Sequence, residues 1–146
     1  MSNTSRIIAG SLAGVILGLL TVGVVSGTPV RHIIQILPAT GALSLVIRRV
    51  PWASYAALPI FVFWLLIMVA IWLFLLGLAR ITTGHFSFAE VALTFVVGAS
   101  CICGLSQTLR TKPVASRITG AVWAIVIGAL QVGALWASLR PAFANI

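Results

Sequence analysis

Five apolar stretches, separated by short polar or basic breaks, make up most of the 146-residue chain. The first runs from Ile7 to Val25 without a charge and follows Arg6. About 20 apolar residues in a helix span the ~30 Å hydrocarbon core of a bilayer, so this run predicts a transmembrane helix. Arg6 and the small residues around Ser26 and Gly27 would also suit a secretory signal, but the run is read here as a retained first helix. Three later stretches predict spanning helices on the same ground: Tyr55 to Ala79, Phe88 to Leu109 and Ile118 to Leu139. Arg110-Thr111-Lys112-Pro113 separates the last two, its proline and charges ending the preceding helix.

The remaining stretch, Ile33 to Ile47, is weaker. It lies between Arg31-His32 and Arg48-Arg49 and is interrupted by Gln35, Pro38, Thr40, Gly41 and Ser44. Fifteen helical residues reach only about 22 Å, and a proline beside a glycine tends to kink or break a helix. A short re-entrant or interfacial element is therefore favoured over a broken span. The expected fold is a single all-α integral membrane domain over residues 1–146, a polytopic bundle of four spanning helices plus this segment. No long-period internal repeat accompanies it.

Composition narrows the class. The chain is 61% hydrophobic and 7% charged, with a mean hydropathy of +1.20. A soluble fold carries roughly 25% charged residues, and disorder requires low hydrophobicity, so neither fits. The nine Lys or Arg residues against one acid give a net charge of +8. They stand singly or in pairs at the ends of apolar runs, where anchors and topology signals lie, and form no stripe for nucleic acid. Anionic headgroups or an acidic membrane partner suit them better, with Arg48, Arg49, Arg110, Lys112 and Arg117 as the contact residues.

The same residues orient the chain. Four crossings group Arg31, Arg48, Arg49, Arg110, Lys112 and Arg117 on one face, and the positive-inside rule then puts both termini outside the cytoplasm. If Ile33 to Ile47 also crosses, Arg6 replaces Arg31 in the larger group, so the amino terminus turns inside and the carboxyl terminus stays outside.

In lipid, helices associate through small residues that let backbones approach. Gly10, Gly14 and Gly18 recur every four residues in the first helix, as do Gly120, Ala124 and Gly128 in the last, with a second row at Ala129, Gly133 and Ala137. The Tyr55 to Ala79 helix instead carries bulky aromatics around most of its circumference and is expected to face lipid or a large partner. Trp52, Trp123 and Trp136 lie near helix ends, where interfacial belts form.

Candidate chemistry is sparse. Glu90, the single carboxylate, lies three residues after Ser87, the spacing of a capping box, and the helix dipole favours an acid there. Arg80 is its candidate ion-pair partner. A proton or cation relay through Glu90 is the less economical reading. Cys101 and Cys103 are two apart on one helix and point to different sides, so they can neither bridge nor chelate together. His32 and His85 flank apolar runs, with nothing that makes a haem or nucleophile pair. Gln107 and Gln131 are expected to hydrogen-bond across helices. A catalytic acid, base and nucleophile cannot be assembled from this set, and no cofactor or metal is expected.

The expectation is a non-catalytic small subunit or accessory protein of a larger membrane complex, of the transporter type, in a bacterial inner membrane. Its partners would be other integral subunits or further copies of itself. The alternative is a homo-oligomeric transporter or channel for an uncharged or lipidic substrate. Its path would be lined by Glu90, Ser100, Ser106, Gln107, Thr108 and Gln131.

Overall fold

The computed structural model describes residues 2–79, 86–111 and 116–144, and among them every regular element is helical. Five long helices, α1 (Asn3–Val25), α2 (Pro29–Ile47), α3 (Ala53–Leu75), α4 (Phe88–Arg110) and α5 (Arg117–Ser138), are followed by one turn, α6 (Pro141–Ala144). All five long helices have the length and apolarity to cross a membrane.

The departure from the sequence expectation is α2. In place of a short interrupted element, the chain forms 19 continuous helical residues, about 28 Å long at the helical rise. Arg31 and His32, taken above as a boundary, lie inside the first turns, because Pro29 occupies a position where its missing N–H costs no hydrogen bond. Pro38 does remove an internal bond, but the Gln131 side-chain amide of α5 donates to the Gln35 carbonyl beside that gap (3.1 Å). The carbonyl that Pro38 leaves without a helical donor is that of Ile34, one residue before Gln35, and membrane helices tolerate such a gap when they pack against neighbouring helices.

The connections that fold the helices back are short. After α1, Gly27 adopts φ 68°, which lets Thr28 N–H reach the Gly23 carbonyl (2.8 Å) and Gly27 N–H the Val24 carbonyl (3.2 Å). This paired closure is the Schellman motif, in which a left-handed residue satisfies the last carbonyls of a helix. The end of α2 repeats it with Arg49 at φ 56° in place of glycine. That conformation costs a residue with a Cβ about 1–2 kcal/mol.

The helices form a closed ring in the order α4, α1, α2, α5, α3, and α3 touches all four of the others. Successive helices run in alternate directions. Gly14 and Gly18 of α1 meet Ser100 and Val97 of the antiparallel α4, whereas Tyr55 and Pro59 of α3 meet Gly120 and Gly128 of the parallel α5. One end therefore gathers Arg6, Arg48, Arg49, Arg110 and Arg117, and the other holds Arg31, Glu90 and Arg140.

The placement of α3 qualifies a second expectation, because one stripe of the helix is buried in the bundle while most of its length stays partly or fully exposed. Val62, Leu66 and Val69 and the end of the helix form its exposed apolar surface, while Phe61, Ile60, Ala56 and Ala57 are fully buried and Trp64 nearly so. Glycines on the neighbouring helices make room for the aromatic side chains. Any side chain at Gly104 would occupy the space of the Phe61 ring, one at Gly98 that of Trp72, and one at Gly120 that of Tyr55. The aromatic helix is thus a hub seated in glycine sockets of α4 and α5, as close backbone approach allows.

Candidate functional site

The most buried polar cluster joins α2 to α5. Gln131 and Ser138 are fully buried and Gln35 is 3% exposed. The Gln35 side-chain amide donates to the Ser138 hydroxyl (2.9 Å), which donates to the Leu135 carbonyl (2.7 Å), and Gln131 donates to the Gln35 backbone carbonyl. A buried polar group without a partner is costly, so these bonds fix the register of the two helices. One acceptor in the cluster, Gln131 Oε1, is buried with no hydrogen-bond partner among the described residues. The expected role of Gln131 across helices corresponds to this joint. The other members of the joint, Gln35 and Ser138, are not evident in the linear chain, where Gln35 reads as an interruption. The available signal was an amide recurring in otherwise apolar runs of both helices.

A second joint links α3 and α4, where the Trp72 indole donates to the Thr94 hydroxyl (2.9 Å) and stacks on Phe95 at a centroid distance of 5.4 Å.

Glu90 is engaged at the start of α4. Its amide donates to the Ser87 hydroxyl oxygen (3.2 Å), and Glu90 Oε2 accepts from the Ser87 backbone amide (2.7 Å) and hydroxyl (2.8 Å). The reciprocal capping box is therefore present, and it uses the carboxylate locally. Arg80, Lys112 and His85 lie outside the described residues. His32 packs beneath Gly23 in the α1–α2 hairpin, and its Nδ1–H donates to the Thr28 carbonyl (3.0 Å).

The small-residue rows divide. Gly14 and Gly18 pack against α4, and Gly120 and Gly128 against α3, with Ala124 half-buried between them. Gly10 and Gly133 are exposed and have nothing within 4 Å of a built Cβ. Cys101 is buried and Cys103 exposed, on different sides of α4 as their spacing requires.

The residues proposed to line a path are dispersed. Glu90 caps one end of α4, Ser100 faces Gly14, and Gln131 belongs to the α2–α5 joint. The Ser106 and Thr108 hydroxyls donate to the Cys103 and Gly104 carbonyls of their own helix. Among the described residues no group of three or more His, Cys, Asp or Glu could hold a metal ion.

The basic end has its own geometry. Trp52 and Trp123 stack there at 4.1 Å and an interplanar angle of 2°. Beside them a shallow groove of about 170 Å³ opens between the first turns of α3 and the last turn of α4, lined by Ser54, Tyr55, Leu58, Thr108, Leu109 and Thr111. Arg110 and Arg117 are exposed at the same end. At the opposite end the Arg140 guanidinium lies 3.7 Å above the Trp136 ring, a cation–π contact.

No family model, curated protein or solved structure matches the chain.

Proposed function

We propose that this chain is a non-catalytic integral subunit or accessory protein of a larger complex of the transporter type in a bacterial inner membrane. The observation that carries the reading is where the polar side chains go. They cap helices, as at Ser2, Ser87–Glu90 and Ser116, bond to their own backbone, or tie helices together, as at Gln35–Ser138 and Trp72–Thr94. The candidate path residues do not converge on one channel, so the arrangement favours a packing unit over a conduit within a single protomer. The exposed Gly10 and Gly133 offer close-approach positions on the outer surface, where a neighbouring helix would use them.

In this reading α2 crosses the membrane with the other four helices. The positive-inside rule then sets the end with Arg6, Arg48, Arg49, Arg110 and Arg117 in the cytoplasm and the Arg31, Arg140 and Glu90 end outside. The amino terminus is inside and the carboxyl terminus outside.

Extraction in a mild detergent followed by mass determination tests the assignment. A second integral protein in fixed stoichiometry is expected. A particle containing only copies of this chain contradicts the subunit reading and favours the homo-oligomeric transporter.

A further inference from the structure

We propose that the groove between α3 and α4 at the basic end is a binding site for the headgroup of one anionic glycerophospholipid. The groove's volume of about 170 Å³ is smaller than the ~300 Å³ at which pockets begin to enclose a whole drug-sized ligand, and holds roughly five water volumes. That space suits a phosphate and its glycerol carbons, with the hydrocarbon tails left outside.

The lining has the matching polarity. Thr108 and Thr111 donate their hydroxyls to the Gly104 and Gln107 carbonyls (2.8 Å each), which leaves these two oxygens only acceptor capacity in the groove. The Ser54 and Tyr55 hydroxyls have no such partner among the described residues and remain as donors. A phosphate diester offers acceptors alone, and the free hydroxyls of a glycerol headgroup, as in phosphatidylglycerol, offer donors, so that headgroup meets both kinds of group. Leu109 forms the apolar wall. It is 68% exposed on the outer face of α4, and provides a route from the groove into hydrocarbon for an acyl chain.

Charge selects an anionic lipid. Arg110 lies between the lining residues Leu109 and Thr111, and Arg117 lies one turn before Gly120, against which the Tyr55 ring packs. The only carboxylate in the chain, Glu90, caps the far end of α4, about 27 Å from Thr108 along the helix. These cations therefore have no acid of this chain near them. Because Tyr55 is wedged on Gly120, its position is set before a lipid arrives.

The proposal rests on that end lying at headgroup level, as assigned above. Its test does not depend on which side of the membrane the end faces, because a nanodisc presents anionic lipid in both leaflets. The full chain is reconstituted in phosphatidylcholine nanodiscs, phosphatidylglycerol is titrated in, and lipid retained after release is counted by native mass spectrometry. One phosphatidylglycerol retained in preference to phosphatidylcholine is expected. The double variant Ser54→Ala/Tyr55→Phe, which keeps the ring on Gly120, should weaken retention roughly tenfold, the effect of losing a hydrogen bond to a charged group. Arg110→Gln should weaken it about fivefold. Arg6→Gln, exposed at the same end on α1 but outside the groove, should stay within about twofold of the parent, because the attraction of a single charge falls off within a Debye length. Parent-like retention by Ser54→Ala/Tyr55→Phe overturns the site. So does an equal loss in Arg6→Gln, which marks a diffuse charged rim. Neither result bears on whether a second protein copurifies.

Discussion

Gly104→Val is expected to be among the most destabilising single substitutions in this chain, lowering stability by about 2–3 kcal/mol, the cost of overpacking a filled core. Gly104 is buried in α4, and the place of its missing side chain is taken by the Phe61 ring of α3, itself fully buried. The obstructing atoms belong to a stiff aromatic ring, so the helices must separate to admit a branched side chain. For a protein of this size the melting temperature should fall by roughly 5–10 °C. The cause can be isolated with a double-mutant cycle. Gly104→Ala and Phe61→Leu should each destabilise, yet together cost less than their sum by at least about 0.5 kcal/mol, because the smaller residue vacates the contested space. Additivity would mean that the two positions do not compete. Gly10→Ala and Gly133→Ala serve as contrasts. Both sites are open, so melting of the isolated chain should change by no more than about 1 kcal/mol, with alanine favoured by helix propensity.

Gln131→Glu is expected to cost at least about 2.5–3.5 kcal/mol, the range for an acid at the centre of a membrane helix. The side chain is fully buried and its amide donates to the Gln35 carbonyl, three residues before Pro38. A carboxylate places an unpaired charge there and sets oxygen against oxygen. The protonated acid can donate, but neutralising it in that buried setting is itself the cost. Gln131→Leu should behave differently, staying within about 1 kcal/mol of the parent. It loses one hydrogen bond but also removes Oε1, which is buried without a partner, and the two effects oppose each other at similar magnitude. Thermal unfolding in detergent compares the two variants. If leucine proves as harmful as glutamate, the donated bond to the Gln35 carbonyl is what holds this joint together.

The contrast between these two positions shows what could be read from the linear chain. Helix extents follow from local composition, so α1, α3, α4 and α5 lie close to where their apolar runs place them. The Ser87–Glu90 cap was legible too, because both partners fall within one turn. The continuity of α2 was not, since the packing that accompanies it comes from remote residues such as Gln131, which bonds a carbonyl 96 residues away. The bond from Gln35 to Ser138 spans 103 residues, beyond the reach of any periodicity. The aromatic circumference of α3 suggested a lipid-facing helix, because a bulky residue facing lipid and one seated in a glycine socket have the same composition. Only the pairing of Gly98, Gly104 and Gly120 with Trp72, Phe61 and Tyr55 separates the two cases. Of the two α5 small-residue rows, the choice of the inward one likewise depended on where α3 packs.

The claim on which orientation, the basic cytoplasmic end and the role of α2 all depend is that the chain crosses five times. Gly27, in the turn between α1 and α2, is the position at which four and five crossings differ most plainly. A full-length chain carrying an alkaline phosphatase insertion at Gly27, active only outside the cytoplasm, should be active there. A second fusion at the carboxyl terminus should be active in either arrangement and serves as the positive control. An inactive enzyme at Gly27, with the terminal fusion still active, would place that turn in the cytoplasm. It would return α2 to a non-spanning role and contradict the five-crossing account.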